Sequence, residues 1–169
     1  MVLPSYSCIY NNIFTGGTLY WRLSSVEMYQ LGDSSTTTLP SLNDARSYHG
    51  CTIFTNNNGK IQLIVTGGAG LSGHLSSVEI STKTGSGWSS FTKTEDALPE
   101  WRLAHTTTQI GHLLYTVSGL TSSSSYDTSI LVSEDGTTWT TSTMTLTPGR
   151  YYHTAVATTD LCKGEYYRQ

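Results

Sequence analysis

The chain has 169 residues and a mass of 18.4 kDa, which fits one domain with its own hydrophobic core. Only 12% of the residues are charged and the formal net charge is -3, so the sequence offers no cationic surface for nucleic acid. The longest apolar runs, such as residues 61–65, fall far short of the roughly 18 residues that a membrane helix needs.

The amino-terminal residues 1–6 lack a basic stretch and reach Pro4 early, which is not typical of a secretory signal. No asparagine starts an N-x-Ser/Thr sequence, so the pattern leans towards a cytoplasmic location. Cys8, Cys51 and Cys162 are odd in number and form no C-x-x-C pair, which argues against disulfides and a zinc site. We expect reduced thiols that are mostly buried.

Short strands are predicted along the whole chain, and no stretch shows the 3.6-residue apolar spacing of a helix. Four of these strands are clearest in the middle of the chain. A turn at Asn56–Gly59 joins the first two of the four, because Asn and Gly tolerate the left-handed backbone conformations of a tight turn. Glu134-Asp135-Gly136 is a similar turn further on. The four strands are predicted at residues 49–55, 60–66, 77–81 and 88–92.

Several features return about every 51 residues, which indicates an internal repeat. A glycine doublet ends the apolar strand of each unit, a Ser-Ser-Val-Glu strand follows it, a tryptophan comes next, and an R-x-x-H marker precedes the following unit. The third unit departs from the pattern, with Ser118 in place of the first glycine and Thr128-Ser129-Ile130-Leu131 in place of the Ser-Ser-Val-Glu strand, and the first unit has no Trp near Thr37. The marker residues are Gly16, Gly17, Gly67, Gly68, Gly119, Trp88, Trp139, Arg46, His49, Arg102, His105, Arg150 and His153.

A four-stranded unit of about 50 residues is typical of a kelch β-propeller blade. The R-x-x-H marker, the Gly-Gly doublet, the Ser-Val-Glu strand and the Trp followed by Leu-Pro also resemble the kelch family directly. The resemblance implies an all-β fold, a kelch-type propeller segment of four-stranded antiparallel blades. Its expected divisions are an incomplete first blade at 1–41, blades at 42–98 and 99–147, the opening strand of a fourth at 148–162, and a tail at 163–169.

The markers have structural interpretations. The glycines let the backbone turn sharply and pass close to a neighbouring segment. The arginines suit carbonyl and carboxylate partners and are expected to anchor blades or loops. One histidine per repeat places the three at equivalent positions in successive blades, so we expect structural hydrogen bonds rather than a shared metal ion.

The stretch Gly68-Ala69-Gly70-Leu71-Ser72-Gly73 fits the G-x-G-x-x-G spacing of a dinucleotide-binding loop. Such a loop must open a helix, whereas the residues that follow are rich in Ser, Thr and β-branched side chains. They also repeat the first unit at blade spacing. We therefore expect no cofactor here.

Two propeller enzymes are alternatives. Galactose oxidase places copper on a kelch-type propeller with Tyr and His ligands, but no spacing here singles out such ligands. The segment Ser133-Glu134-Asp135-Gly136-Thr137-Thr138-Trp139 resembles the Asp-box turn of sialidases with one residue missing. Such turns are not catalytic, so we expect no enzyme activity, with a remnant of an oxidase or glycosidase as the alternative.

Propellers close with about four to eight blades, whereas about three are visible here. Either the sequence is a fragment of a larger kelch-repeat protein, which we favour, or arcs associate into one wheel. The resemblance implies a non-catalytic module that binds a protein through its blade loops, and the partner's identity does not follow from the sequence. The candidate loop residues are Ala69, Gly70, Leu71, Ser72, Gly73, His74, Ser123, Ser124, Ser125 and Tyr126.

Overall fold

The computed structural model describes residues 11–17, 22–30, 35–85, 87–123 and 126–158. Within these ranges the chain is all-β: it forms seventeen strands and no helix, and every strand pairing is antiparallel. The described part of the chain accordingly contains no helix able to span a membrane. Cys8, Cys162 and the tail at 163–169 lie outside the described residues.

Three principal sheets follow one another along the chain. In the second and third sheets, neighbouring strands lie side by side in the order in which they occur along the chain. The first sheet has three strands in the described residues. The first sheet contains β1 (Asn11–Thr15), β2 (Val26–Gln30) and β3 (Thr36–Leu39). The second contains β5 (Gly50–Thr55), β6 (Ile61–Thr66), β9 (Val78–Thr84), β10 (Gly87–Trp88) and β11 (Thr92–Thr94). The third contains β13 (Thr106–Ile110), β14 (Leu113–Val117), β16 (Ser129–Ser133) and β17 (Thr140–Thr145).

Two short ladders connect these sheets. In one, β4 (Arg46–Ser47) pairs with β7 (Ala69–Gly70), which pairs with β8 (Gly73–His74). In the other, β12 (Arg102–Leu103) pairs with β15 (Leu120–Thr121). Each ladder therefore joins an R-x-x-H marker to the segment that follows the glycine doublet of the next unit.

The apolar side chains form two clusters, one on each face of the second sheet. Alternate residues of a strand point to opposite faces, so Ile64 belongs to one cluster and its neighbours Leu63 and Val65 to the other. One cluster lies between the first and second sheets and contains Val26, Leu39, Leu42, Leu63, Val65 and Phe91. The other lies between the second and third sheets and contains Phe54, Ile64, Val78, Leu98, Leu114, Leu131 and Trp139. The sheets thus stack face to face, and the second is covered on both sides.

The predicted turns and tryptophans occupy structural positions. In the Asn56–Gly59 turn, the Asn56 side-chain oxygen accepts bonds from the backbone N–H groups of Asn58 and Lys60, each at 3.0 Å. Trp88 packs against the cluster between the first and second sheets. Trp139 is buried in the other cluster, and its indole N–H donates to the carbonyl of Gly136 at 2.9 Å.

Two expectations need correction. The single strand predicted at residues 88–92 is split into β10 and β11, because Phe91 turns its side chain into the core between them. Cys51 is exposed rather than buried. Its strand partner is Val65, so it lies on the face towards the first sheet, where its side chain reaches Thr15 at the end of β1.

Candidate interaction surface

The Gly67-Gly68 doublet takes left-handed backbone conformations, with φ of 57° and 101°. A Cβ atom on Gly67 would lie 2.6 Å from the carbonyl oxygen of Arg102, and one on Gly68 would lie 2.7 Å from that of Ser47. Real Cβ atoms essentially never come that close to another atom, so only glycine fits at both positions. The doublet therefore has the architectural role expected of it.

A short hairpin of strands β7 and β8 follows the doublet, in place of the helix that a dinucleotide-binding loop would open. Ala69 and Gly70 pair with the marker strand β4 and are buried, so these two candidate residues offer no side chain to a partner. The exposed part of the hairpin is Leu71–His74, and Leu71 is 73% exposed. A large apolar side chain at a hairpin tip is suited to contact another molecule.

The hairpin forms one wall of a surface depression of about 450 Å³, lined by residues 43–45, residues 70–75 and Lys93. The Lys93 ammonium lies 2.7 Å from a carboxylate oxygen of Asp44 and 2.5 Å from one of Glu95. Hydrogen bonds to these two carboxylates raise the pKa of Lys93, so the ammonium stays charged at neutral pH. The depression is therefore polar on one side.

Beneath the depression, the buried Arg46 holds the second unit together. Its guanidinium lies 2.6 Å from Glu79, which is also fully buried, and donates to the carbonyl of Gly67 at 2.9 Å. Glu79 also accepts from backbone N–H groups of Asn43 and Asp44. These bonds fix the wall of the depression opposite the hairpin.

Arg102 has the same role in the third unit, where it donates to the carbonyl of Ser118 and lies 2.5 Å from Asp127. Both arginines thus have the carbonyl and carboxylate partners that the sequence predicts for an anchor. Arg150, the third marker arginine, is exposed, and its guanidinium has no ion pair in the part of the chain that the structure describes.

The second candidate loop follows β15. The side chains of Ser122 and Ser123 donate to the same oxygen of Glu100. Ser124 and Ser125 lie outside the described residues. Tyr126 is 61% exposed, and its ring lies 5.6 Å from the ring of Tyr151.

Tyr126 belongs to a row of four exposed tyrosines, and it is the only one of the four that the sequence indicates as a binding residue. Successive ring centroids are 5.6 Å apart from Tyr126 to Tyr151, 5.1 Å from Tyr151 to Tyr152 and 5.7 Å from Tyr152 to Tyr48. The backbone explains the order, since the Ala104 N–H donates to the Tyr48 carbonyl and the Tyr152 N–H donates to the Ala104 carbonyl. The signal in the sequence for Tyr48, Tyr151 and Tyr152 was tyrosine at the variable positions of the first and third R-x-x-H markers.

The hairpin and the tyrosine row lie at the same end of the sheets. Tyr48 directly follows β4, which pairs with β7 of the hairpin. His74 of the hairpin stacks on Trp101, with ring centroids 4.3 Å apart. Together, Leu71, His74, Trp101 and the four tyrosines form what we call the aromatic end of the molecule.

The three marker histidines line a second depression of about 230 Å³. Each ring nitrogen Nε2 is paired with a threonine hydroxyl: His49 with Thr15 at 2.7 Å, His105 with Thr66 at 2.8 Å and His153 with Thr106 at 3.1 Å. Burial lowers the pKa of His49 to about 4 and that of His105 to about 3, with the nearby arginines adding to the effect. Among the described residues, no three His, Cys, Asp or Glu side chains are placed to hold one metal ion.

The segment that resembles an Asp-box forms a self-contained turn. One oxygen of Asp135 accepts from the backbone N–H groups of Thr137 and Thr138 at 2.7 and 2.8 Å. The Ser133 hydroxyl accepts from the Gly136 N–H at 2.8 Å. Both side chains are used in closing the turn between β16 and β17.

Comparison with protein-family models gives no match for this chain, and comparison with curated proteins gives no similar sequence. The function proposed below therefore rests on the residues of the chain and on their arrangement.

Proposed function

We propose that the chain is a non-catalytic protein-binding module built from kelch-type propeller blades, with the aromatic end as its binding face. The observation that carries this proposal is the row of four exposed tyrosines, at the same end of the sheets as the exposed hairpin. Tyrosine and tryptophan are enriched in the central parts of protein interfaces, because each offers a large rigid apolar area together with a polar group.

The kelch assignment within this proposal is supported by the repeated strand order. In both the second and the third sheet, the strands lie side by side in chain order. An R-x-x-H marker precedes each sheet, and its arginine donates a hydrogen bond to a backbone carbonyl of the unit that follows. The glycine doublet or its Ser118-Gly119 equivalent ends the second strand in both. These features match the order of motifs in a kelch blade.

Two surface variants and one matched control test the binding face. Tyr126→Ser combined with Tyr151→Ser alters the tyrosine row, and Leu71→Ser alters the hairpin tip. The control is Ile110→Ser, because Ile110 is 51% exposed but lies at the opposite end of β13 from the marker. Leu71→Ser and Ile110→Ser each remove one exposed large aliphatic side chain, so a difference between these two variants reports position rather than composition. The tyrosine variant removes two.

The measurement is affinity capture with the wild-type chain, followed by titration of the captured protein against each purified variant. We expect a loss of at least about tenfold in affinity for the tyrosine variant, since hot-spot aromatic residues at the centre of an interface cost about 2 kcal/mol or more when truncated. The hairpin variant should lose less, because leucine is under-represented among such residues. The control should bind like the wild type. Equal affinities for all four proteins would contradict the proposed face, and sugar oxidation or sialidase activity in the purified chain would favour the enzyme alternative.

A further inference from the structure

Two tyrosines of the row have an unusual backbone conformation. The third residue of each R-x-x-H marker is left-handed, with φ of 57° at Tyr48, 51° at Ala104 and 53° at Tyr152. This conformation is unfavourable for a bulky side chain. Ala104 shows that a small side chain fits the same place in the repeat. The fold therefore requires the left-handed turn but not a tyrosine, and Tyr48 and Tyr152 are 50% and 66% exposed.

The row is held in place by the chain itself. The backbone N–H of Ala104 donates to the Tyr48 carbonyl at 2.8 Å, and the N–H of Tyr152 donates to the Ala104 carbonyl at 3.0 Å. Each ring also packs against the next one in the row. Side chains that are already ordered lose little conformational entropy on binding. The row is therefore a preformed surface.

The side chains at this end restrict the kind of segment that the surface can bind. Strand addition uses the backbone of a sheet edge and a docked helix needs an aliphatic groove, whereas the row presents tyrosine rings. Acidic or phosphorylated segments need clustered arginines. Arg46 and Arg102 are buried and paired with carboxylates, so of the marker arginines only Arg150 is exposed. Aromatic surfaces are typical of sites for proline-rich segments in the polyproline II conformation.

The spacing of the rings fits such a segment. Neighbouring rings are inclined to each other by 46° to 68°, so they do not stack flat and a cleft opens between each pair. A polyproline II helix advances about 9 Å per turn of three residues, which is comparable to the two steps of 5.6 and 5.1 Å from Tyr126 to Tyr152. Prolines one turn apart therefore match the first and third clefts of the row.

A fixed carboxylate lies beside the loop that leads to the row. Ser122 and Ser123, which precede Tyr126 in this loop, donate to one oxygen of Glu100. Burial opposes the ionisation of Glu100, but the hydrogen bonds from this loop outweigh it and lower the pKa of the carboxyl group. The group is therefore ionised at neutral pH, and it complements a lysine or arginine in a bound segment.

We propose that the aromatic end binds an extended proline-rich segment in the polyproline II conformation, with prolines between the rings of the tyrosine row and a basic residue near Glu100. The carbonyls of such a segment have no internal hydrogen bonds, so the tyrosine hydroxyls can donate to them. This inference rests on the proposed binding face and names the chemistry of its partner.

Fluorescence anisotropy of labelled decaproline titrated with the full chain tests the inference. The peptide of L-prolines should bind saturably, and its mirror image of D-prolines, with the same composition but the opposite helix hand, should bind at least about tenfold more weakly. Tyr48→Ala combined with Tyr152→Ala should weaken binding of the L-peptide at least about tenfold, and Ile110→Ser should not change it. Because alanine occupies the equivalent position at residue 104, the double variant should fold, which thermal unfolding checks.

Two further changes complete the test. Tyr151→Ser, at a position without a left-handed backbone, should also weaken binding about tenfold. A lysine added to one end of the L-peptide should strengthen binding about twofold to fivefold, and Glu100→Gln should remove that gain. A gain that persists in Glu100→Gln would overturn the role of this carboxylate.

The outcomes distinguish this inference from the proposed binding face. Absence of saturable binding, equal binding of the L- and D-peptides, or tyrosine variants that bind like the wild type would overturn the polyproline inference. A captured protein that depends on the tyrosine row but is not displaced by L-decaproline would also overturn it, while the binding face would stand. A captured protein that binds all tyrosine variants equally would contradict both.

Discussion

Replacing Gly67 with alanine tests the close approach between the glycine doublet and the next marker. Gly111 provides a matched control, because its φ of 62° is close to the 57° of Gly67. Alanine at either position meets the same penalty for a left-handed backbone, roughly 1–2 kcal/mol. The two sites differ in the free space around the glycine. A Cβ atom on Gly111 would have no atom within 4 Å, whereas one on Gly67 would lie 2.6 Å from the Arg102 carbonyl oxygen.

That difference sets the expected magnitude. The obstructing atom at Gly67 is backbone, and it cannot rotate away as a side-chain end could. Overpacking of this kind typically costs about 1–3 kcal/mol beyond the conformational penalty. For a chain of this size 1 kcal/mol corresponds to about 2–4 °C in Tm, so Gly67→Ala should melt about 2–12 °C below Gly111→Ala.

The assay is thermal unfolding followed by circular dichroism, with urea unfolding of both variants to obtain free energies. The wild type gives the reference, and Gly111→Ala isolates the conformational part. If both variants lost the same amount of stability, the close contact with Arg102 would contribute nothing, and the doublet would be explained by its backbone angles alone.

Two other predictions concern buried ionisable groups. Glu79→Ala leaves a buried guanidinium without its carboxylate and should lower the free energy of unfolding by about 3–5 kcal/mol, whereas Glu134→Ala, at an exposed position, should change it by less than about 0.5 kcal/mol in the same urea titration. The second prediction is a loss of stability between pH 7 and pH 5. The folded pKa values of about 4 for His49 and about 3 for His105 lie below the unfolded value of 6.5, so the unfolded state binds more protons as the pH falls through 6.5. The free energy of unfolding should decrease by about 2 kcal/mol for each histidine over that range, and His105→Gln should show the smaller decrease; equal stability at both pH values would contradict the buried, neutral state of these rings.

The local backbone was readable from the sequence. Strand alternation, the Asn56–Gly59 turn and the left-handed glycines depend on neighbouring residues, and all of them appear in the structure. The repeat also predicted that the second and third units share a strand order. The split near Phe91 was missed, because a buried aromatic side chain in the core overrides the preference for a continuous strand.

Contacts between units could be read only from the tertiary structure. The pairing of His49 with Thr15, the row of tyrosines from Tyr126 to Tyr48 and the exposure of Cys51 all depend on which sheets lie side by side. Local sequence sets the backbone angles and the alternation of each strand. Stacking of whole sheets brings together residues that are tens of positions apart in the sequence. The spacing of residues within one unit does not indicate which of them will meet.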